Sequence, residues 1–209
     1  MEAKTYLSME EEVVKHPFSR CQLVTTPGIW INGRTYWVHN GHEKIVTEES
    51  ITIQMKEHFV HSKIKLHELS VKNHNNQPIK IKLLCMNQHQ YPVQDHFTFV
   101  SPTENVLFHL TNKTVFLVNG CCQGKEMEQM TVQPFWNAHT DQIWRNEKIG
   151  NLHYQPMAKG TVASIFSLNM EIPAKKTAKG HSWIIYGKNK EELSRLNKAL
   201  LKKQTSNSF

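Results

Sequence analysis

Hydrophobic residues along this chain recur mainly at every second position. That spacing places alternate side chains on opposite faces of a β-strand. GIWINGRTYWV (28–38) reads as a hairpin, with apolar and aromatic arms on either side of Asn32-Gly33. This pair tolerates the positive φ of a type I′ turn. SITIQMKEHFV (50–60) and HSKIKLHELSV (61–71) read as long strands, the second with Ile64, Leu66 and Glu68 on one face. QPIKIKLLCM (77–86) sets Ile79, Ile81 and Leu83 against Lys80 and Lys82. HFTFV (96–100), NVLFHL (105–110), TVFLVNG (114–120), MTVQPF (130–135), GTVASIFSLNMEI (160–172) and HSWIIYG (181–187) complete the set. Turn residues separate these segments, and the pattern predicts an all-β fold, a large antiparallel β-sandwich.

The period changes once, at the C-terminus. Asn189 is placed to cap a helix, and Glu192 stands three residues on, as in a capping box. Leu193, Leu196 and Leu200 then share one face. The spacing predicts a terminal helix over 189–203 that packs at the sandwich edge and shields an edge strand. Residues 8–15 (SMEEEVVK) allow a short N-terminal helix. No linker-like tract or repeat divides the 209 residues. The expected layout is an N-terminal extension (1–17), one sandwich domain (18–203) and a disordered tail (204–209).

Composition narrows the partners. The N-terminus has neither a basic start nor an apolar run of signal-peptide length, and no segment approaches the roughly 20 apolar residues of a membrane span. A cytoplasmic location without membrane contact is expected. Cys21, Cys85, Cys121 and Cys122 are then reduced, and the adjacent pair lacks a CxxC spacing. The net charge of +7 raises a nucleic-acid reading, but only Arg20, Arg34, Arg145 and Arg195 are arginines. Bidentate phosphate and base recognition favours Arg. No specific nucleic-acid partner is expected, only weak salt-dependent attraction to polyanions.

Two stretches carry a family likeness. VKNHNNQPIKIKLLCM resembles the N-x-x-x-x-P strand of the large sugar-handling β-sandwiches. WRNEKIGNLHYQPMAKGTVASIFSLNMEIPA, followed by HSWIIYGKNKEELSRLNKAL, resembles the end of the N-terminal sandwich of bacterial glucoamylase-like and glucodextranase-like enzymes. The resemblance implies a supersandwich of the galactose-mutarotase-like type. In those enzymes a following helical barrel carries the two catalytic carboxylates, and that barrel is absent from this sequence. RNEKIGN is also less acidic than the matching family stretch. The resemblance therefore implies the sandwich without its hydrolytic machinery.

Candidate chemistry is sparse. Glycoside hydrolysis needs two carboxylates across a bond. Asp141 and Glu147 form the one acidic pair near the aromatic loop. CMNQHQYP resembles the histidine region of aldose epimerases, with His89 at the matching place, but no later Glu stands in a recognisable base motif. His89 therefore reads as a polar hairpin residue. His39-x-x-His42 and His58-x-x-His61 lack a third ligand at metal-like spacing. Nucleophile elbows and phosphate loops are missing. No catalytic residue, metal or cofactor is assigned. Trp136, Trp144, His153 and Tyr154 are the candidate ligand-binding residues, because polar neighbours predict partial exposure of the two tryptophans and exposed aromatic faces stack on sugars or bury against proteins. The expected function is a non-catalytic protein binding a carbohydrate or a protein partner. The alternatives are a sugar-acting enzyme on the same scaffold and a weakly nucleic-acid-associated protein.

Overall fold

Asn32 and Gly33 both take positive φ, 52° and 78°, so the hairpin closes as its sequence predicts. The computed structural model describes residues 23–39, 41–91, 93 and 95–206. The expected N-terminal extension, the short helix at 8–15, Cys21 and the last residues of the expected tail lie outside this range. The strands are β1 (Leu23–Ile31), β2 (Arg34–Trp37), β3 (Glu43–Val46), β4 (Ile51–His61), β5 (Ile64–Asn73), β6 (Ile79–His89), β7 (Phe97–Ser101) and β8 (Val106–Leu110). They continue as β9 (Val115–Cys122), β10 (Lys125–Glu126), β11 (Gln129–Pro134), β12 (Trp144–Asn146), β13 (Asn151–Leu152), β14 (Met157–Lys159), β15 (Val162–Ile172) and β16 (Thr177–Gly187). Two helices, α1 (Phe135–Ala138) and α2 (Lys190–Ser206), complete the order.

Antiparallel pairing assembles two main sheets. The smaller runs β11-β15-β6-β1-β2, and the larger runs β14-β7-β8-β9-β16-β5-β4-β3, with β10 on β9. β12 and β13 form a separate ribbon. The all-β antiparallel sandwich expected from the sequence is the fold observed.

The hydrophobic residues divide into three layers. Leu23, Ile29, Leu69, Leu83, Val118 and Phe166 belong to the core between the sheets. Leu66, Phe108, Leu117 and Trp183 face outward from the larger sheet and pack under Leu193 and Leu200 of α2. Leu84, Met86 and Ile165 face outward from the smaller sheet and pack under Ile143, Trp144 and Leu152. Central strands are therefore buried on both faces, which is why β6 loses its alternation at Leu83-Leu84-Cys85-Met86. Burial pushes the thiols of Cys85 and Cys122 up to about 12 and that of Cys121 up to about 11, so they act as small apolar groups.

The helix departs from expectation in two respects. It continues to Ser206, so residues 204–206 are helical rather than part of a disordered tail. It also lies over the central strands β9 and β16, not along an edge, because Trp183 and Leu117 offer it an apolar bed there. Asn189 Oδ1 accepts from the amides of Glu191 and Glu192 at 2.8 and 3.2 Å, as a cap does. The Glu192 carboxylate takes the Lys63 ammonium at 2.7 Å. The buried amide of Asn197 sits at the centre of the helix contact. Its Oδ1 accepts from Trp183 Nε1 at 2.9 Å and from Asn119 Nδ2 at 3.0 Å.

Candidate functional site

The segment from 135 to 155 is sewn to β11, and its Ala138, Ile143, Trp144 and Leu152 cover the outer face of the smaller sheet. Thr131 Oγ1 donates to the His153 carbonyl at 2.7 Å, and Gln133 Nε2 donates to the same oxygen at 3.1 Å. The Leu152 amide donates to Gln129 Oε1 at 2.7 Å, and the Val132 amide to the Gln155 carbonyl at 2.9 Å. Trp144 is only 8% exposed. Its Nε1 donates to Thr35 Oγ1 at 3.0 Å, and its ring lies 6.3 Å from that of Trp30. The partial exposure expected of Trp144 is thus corrected: the ring is a pin that fastens the segment to β1 and β2. Polar neighbours misled the reading because they lie on the outer side of the short ribbon β12–β13.

The other three sequence candidates stay at the surface. His153 is exposed, Tyr154 is 59% exposed and Trp136, on α1, is 71% exposed. Tyr154 stands over a groove of about 430 Å3 whose lining includes Asn105, Glu128, Gln129, Arg145 and Asn151. Trp136 does not line that groove. Its neighbour Phe135 lines a different cavity, described below. Asp141 and Glu147 sit on separate 3-10 turns, 141–143 and 147–149.

A second site lies inside the sandwich, and its residues were not assembled from the sequence. Toward one end the interlayer core turns polar. Cys85, Asn87 and His89 alternate along β6, opposite Ser164 on β15, and Thr98 and His109 come from β7 and β8. His96 sits just before β7. The ligating atoms of His89, His96 and His109 all lie within 4.8 Å of one another. His96 Nε2 is 3.0 Å from His109 Nδ1, and Thr98 Oγ1 lies 2.9 and 3.1 Å from these two nitrogens. His109 Nε2 bonds Ser164 Oγ at 2.8 Å. The rings of His96 and His109 stack, while His89 stands edge-on to His96 with centroids 4.4 Å apart.

Burial dominates the electrostatics of this cluster. Loss of water holds the imidazolium of His89 down to about 4, with the neighbouring His96 adding to the effect. Loss of water also holds His96 down to about 4, opposed by a hydrogen bond with the Gly160 backbone. His109, fully buried beside both, is held well below the ordinary histidine range. All three rings are neutral at pH 7. Among the described residues neither ring nitrogen of His89 has a hydrogen-bond partner, although both are buried. A cavity of about 140 Å3 reaches His89 and His96 and is also lined by Gln88, Gln90, Tyr91 and Phe135. His89 is therefore not the polar hairpin residue expected of it. Its strand position turns it inward, two residues past Asn87.

The local spacings His39-x-x-His42 and His58-x-x-His61 do not mark this cluster. His39 meets His139 instead of His42, with ring centroids 5.2 Å apart. The set that does converge comes from the ends of three segments, and no local spacing marks it.

No protein-family model matches this chain, and no curated protein matches it. Among solved structures it superposes on a bacterial glucoamylase complexed with acarbose, with a TM-score of 0.55 over 88% of this chain and 7% sequence identity. This chain spans 30% of that protein's length. The likeness is one of fold, a β-sandwich shared with part of a much longer protein. Among the described residues no helix is long and apolar enough to cross a membrane.

Proposed function

We propose that this protein is a non-catalytic carbohydrate-binding β-sandwich that corresponds to the N-terminal sandwich domain of glucoamylase-like enzymes. The groove under Tyr154 is the binding surface. The observation that carries this reading is the pairing of an exposed aromatic face with converging polar groups. Tyr154 offers a stacking platform, and Arg145, Glu128, Asn151 and Asn105 offer donors and acceptors around a space of sugar size. Trp144 holds the ribbon beneath it. The fold neighbour was solved with acarbose, a fact about that protein that adds to the same reading.

Isothermal titration with a panel of mono- and oligosaccharides at two salt concentrations tests it. A saturable signal that survives salt and weakens at least about tenfold in Tyr154→Ala is the expected outcome, since one well-placed aromatic contact is worth on the order of 1.4 kcal/mol or more. A flat response to every sugar from folded protein refutes it. Trp136 favours a second reading. An indole 71% exposed is a natural anchor for a protein partner, and loss of a pulled-down partner in Trp136→Ala would support that role.

A further inference from the structure

We infer that His89, His96 and His109 form a binding site for one divalent transition-metal ion of the zinc type, held between the sheets with a coordination position facing the adjoining cavity. The inference is independent of the carbohydrate groove, which lies on the outside of the fold.

Geometry carries it first. A tetrahedral metal with bonds of about 2.0–2.1 Å to imidazole separates its ligand nitrogens by about 3.3 Å. His96 Nε2 and His109 Nδ1 stand 3.0 Å apart, so a shift of a few tenths of an ångström brings them to that spacing. The third imidazole supplies its atom within 4.8 Å of both. Two independent sheets hold the set. β6 of the smaller sheet carries His89, and the β7–β8 pair of the larger sheet holds His96 and His109. The protein's own packing thus fixes the ligands in place.

The outer contacts fit as well. Metal-bound histidines ordinarily use their second nitrogen to bond a neighbouring oxygen, which fixes the tautomer. Ser164 Oγ stands 2.8 Å from the far nitrogen of His109, and the Gly160 backbone bonds the His96 ring. With those bonds made in the donating sense, as metal-bound imidazoles make them, the facing nitrogens of His96 and His109 turn their lone pairs to one point from 3.0 Å apart, where a cation can take both. The cation also gives His89 the partner that it lacks among the described residues. Three neutral imidazoles without a thiolate or carboxylate suit zinc, copper, nickel or cobalt rather than calcium or magnesium. The cavity of about 140 Å3 bordering His89 and His96 leaves room for a water in the fourth position.

The test is metal uptake by the full chain with any affinity tag removed. Apo-protein prepared with a chelator is dialysed against zinc and, separately, titrated with cobalt(II). The expected result is one equivalent bound per chain, with the intense visible absorption of four-coordinate cobalt and a raised Tm. His89→Ala, at the cavity border, should lower affinity at least tenfold while the circular dichroism spectrum stays that of the parent. His109→Gln is the second variant, and it should abolish the cobalt spectrum. No uptake by folded wild-type protein overturns the proposal. So does uptake that survives His89→Ala and His109→Gln, and uptake lost in His39→Ala would move the ion to the His39–His139 pair.

Discussion

Gly150 offers a quantitative test of how the groove segment is held. It ends a 3-10 turn with φ 66° and ψ 38°, the left-handed region, and its amide bonds the Glu147 carbonyl. A Cβ added there would lie 2.8 to 3.0 Å from three atoms of the Trp30 indole. That ring cannot swing aside freely, because its Nε1 donates to the Glu147 carbonyl at 2.7 Å in the same turn. Gly150→Ala therefore carries two costs. The left-handed backbone costs a non-glycine residue about 1 kcal/mol, and overpacking against Trp30 costs about 1–3 kcal/mol. The sum is about 2–4 kcal/mol. Gly124→Ala separates the two costs. Its φ is 74°, and a Cβ there meets nothing within 4 Å, so only the backbone cost applies. Urea unfolding followed by circular dichroism and by tryptophan emission reads both variants. Gly150→Ala should lose about 1–3 kcal/mol more than Gly124→Ala, with Trp30 emission altered in the native state. Equal losses within about 0.5 kcal/mol would show that the turn gives way without strain, and would refute the claim that Trp30 clamps it.

Two further outcomes are expected. Asn197→Ala removes the shared acceptor of Trp183 Nε1 and Asn119 Nδ2, and leaving two buried donors unpaired should cost about 2–4 kcal/mol in urea unfolding; a loss under about 1 kcal/mol would show that α2 does not depend on it. Chelator-treated protein should lose stability as pH falls from about 6.5 toward about 4, because His89 and His96 are held down to about 4 when folded, so the unfolded chain binds protons that the native rings refuse. His96 alone accounts for on the order of 1 kcal/mol at pH 5 after allowance for solvent screening, with His109 acting in the same direction. A urea midpoint unchanged between pH 7.5 and pH 5 would contradict the burial of these rings.

The framework was legible in the sequence wherever local chemistry decides the outcome. Asn32-Gly33 marks its turn because few other pairs accept two positive φ values. Asn189 with Leu193 and Leu200 marks the helix because capping and a 3.6-residue face are both local signals. Short pieces escaped, including β3, β10, β12, β13 and β14, since two to four residues carry no measurable period. Trp144 was misplaced for a related reason. Its polar neighbours describe one side of a ribbon, and only the sheet beneath reveals the other. Tyr154 and Trp136 do stand at the surface, yet only Tyr154 lines the groove, a separation that depends on tertiary placement alone.

The histidine cluster was illegible because its spacing is set by strand register. Seven residues separate His89 from His96, and thirteen separate His96 from His109, intervals that match no local motif. The comparison with Asn197 shows why the cluster reads as functional rather than structural. At Asn197 each buried partner is satisfied, and the network joins α2 to the larger sheet. In the histidine cluster one ring has both nitrogens buried and without a partner among the described residues. Replacing such a group and its polar neighbours with apolar residues of similar volume is often neutral or stabilising. The sandwich already has an apolar interlayer core from Leu23 to Phe166, so its stability does not call for a polar end. A polar end that costs stability and opens onto a cavity is what a binding site requires. The same reasoning leaves Trp144, satisfied and buried, as the scaffold of the groove, with Tyr154 exposed above it.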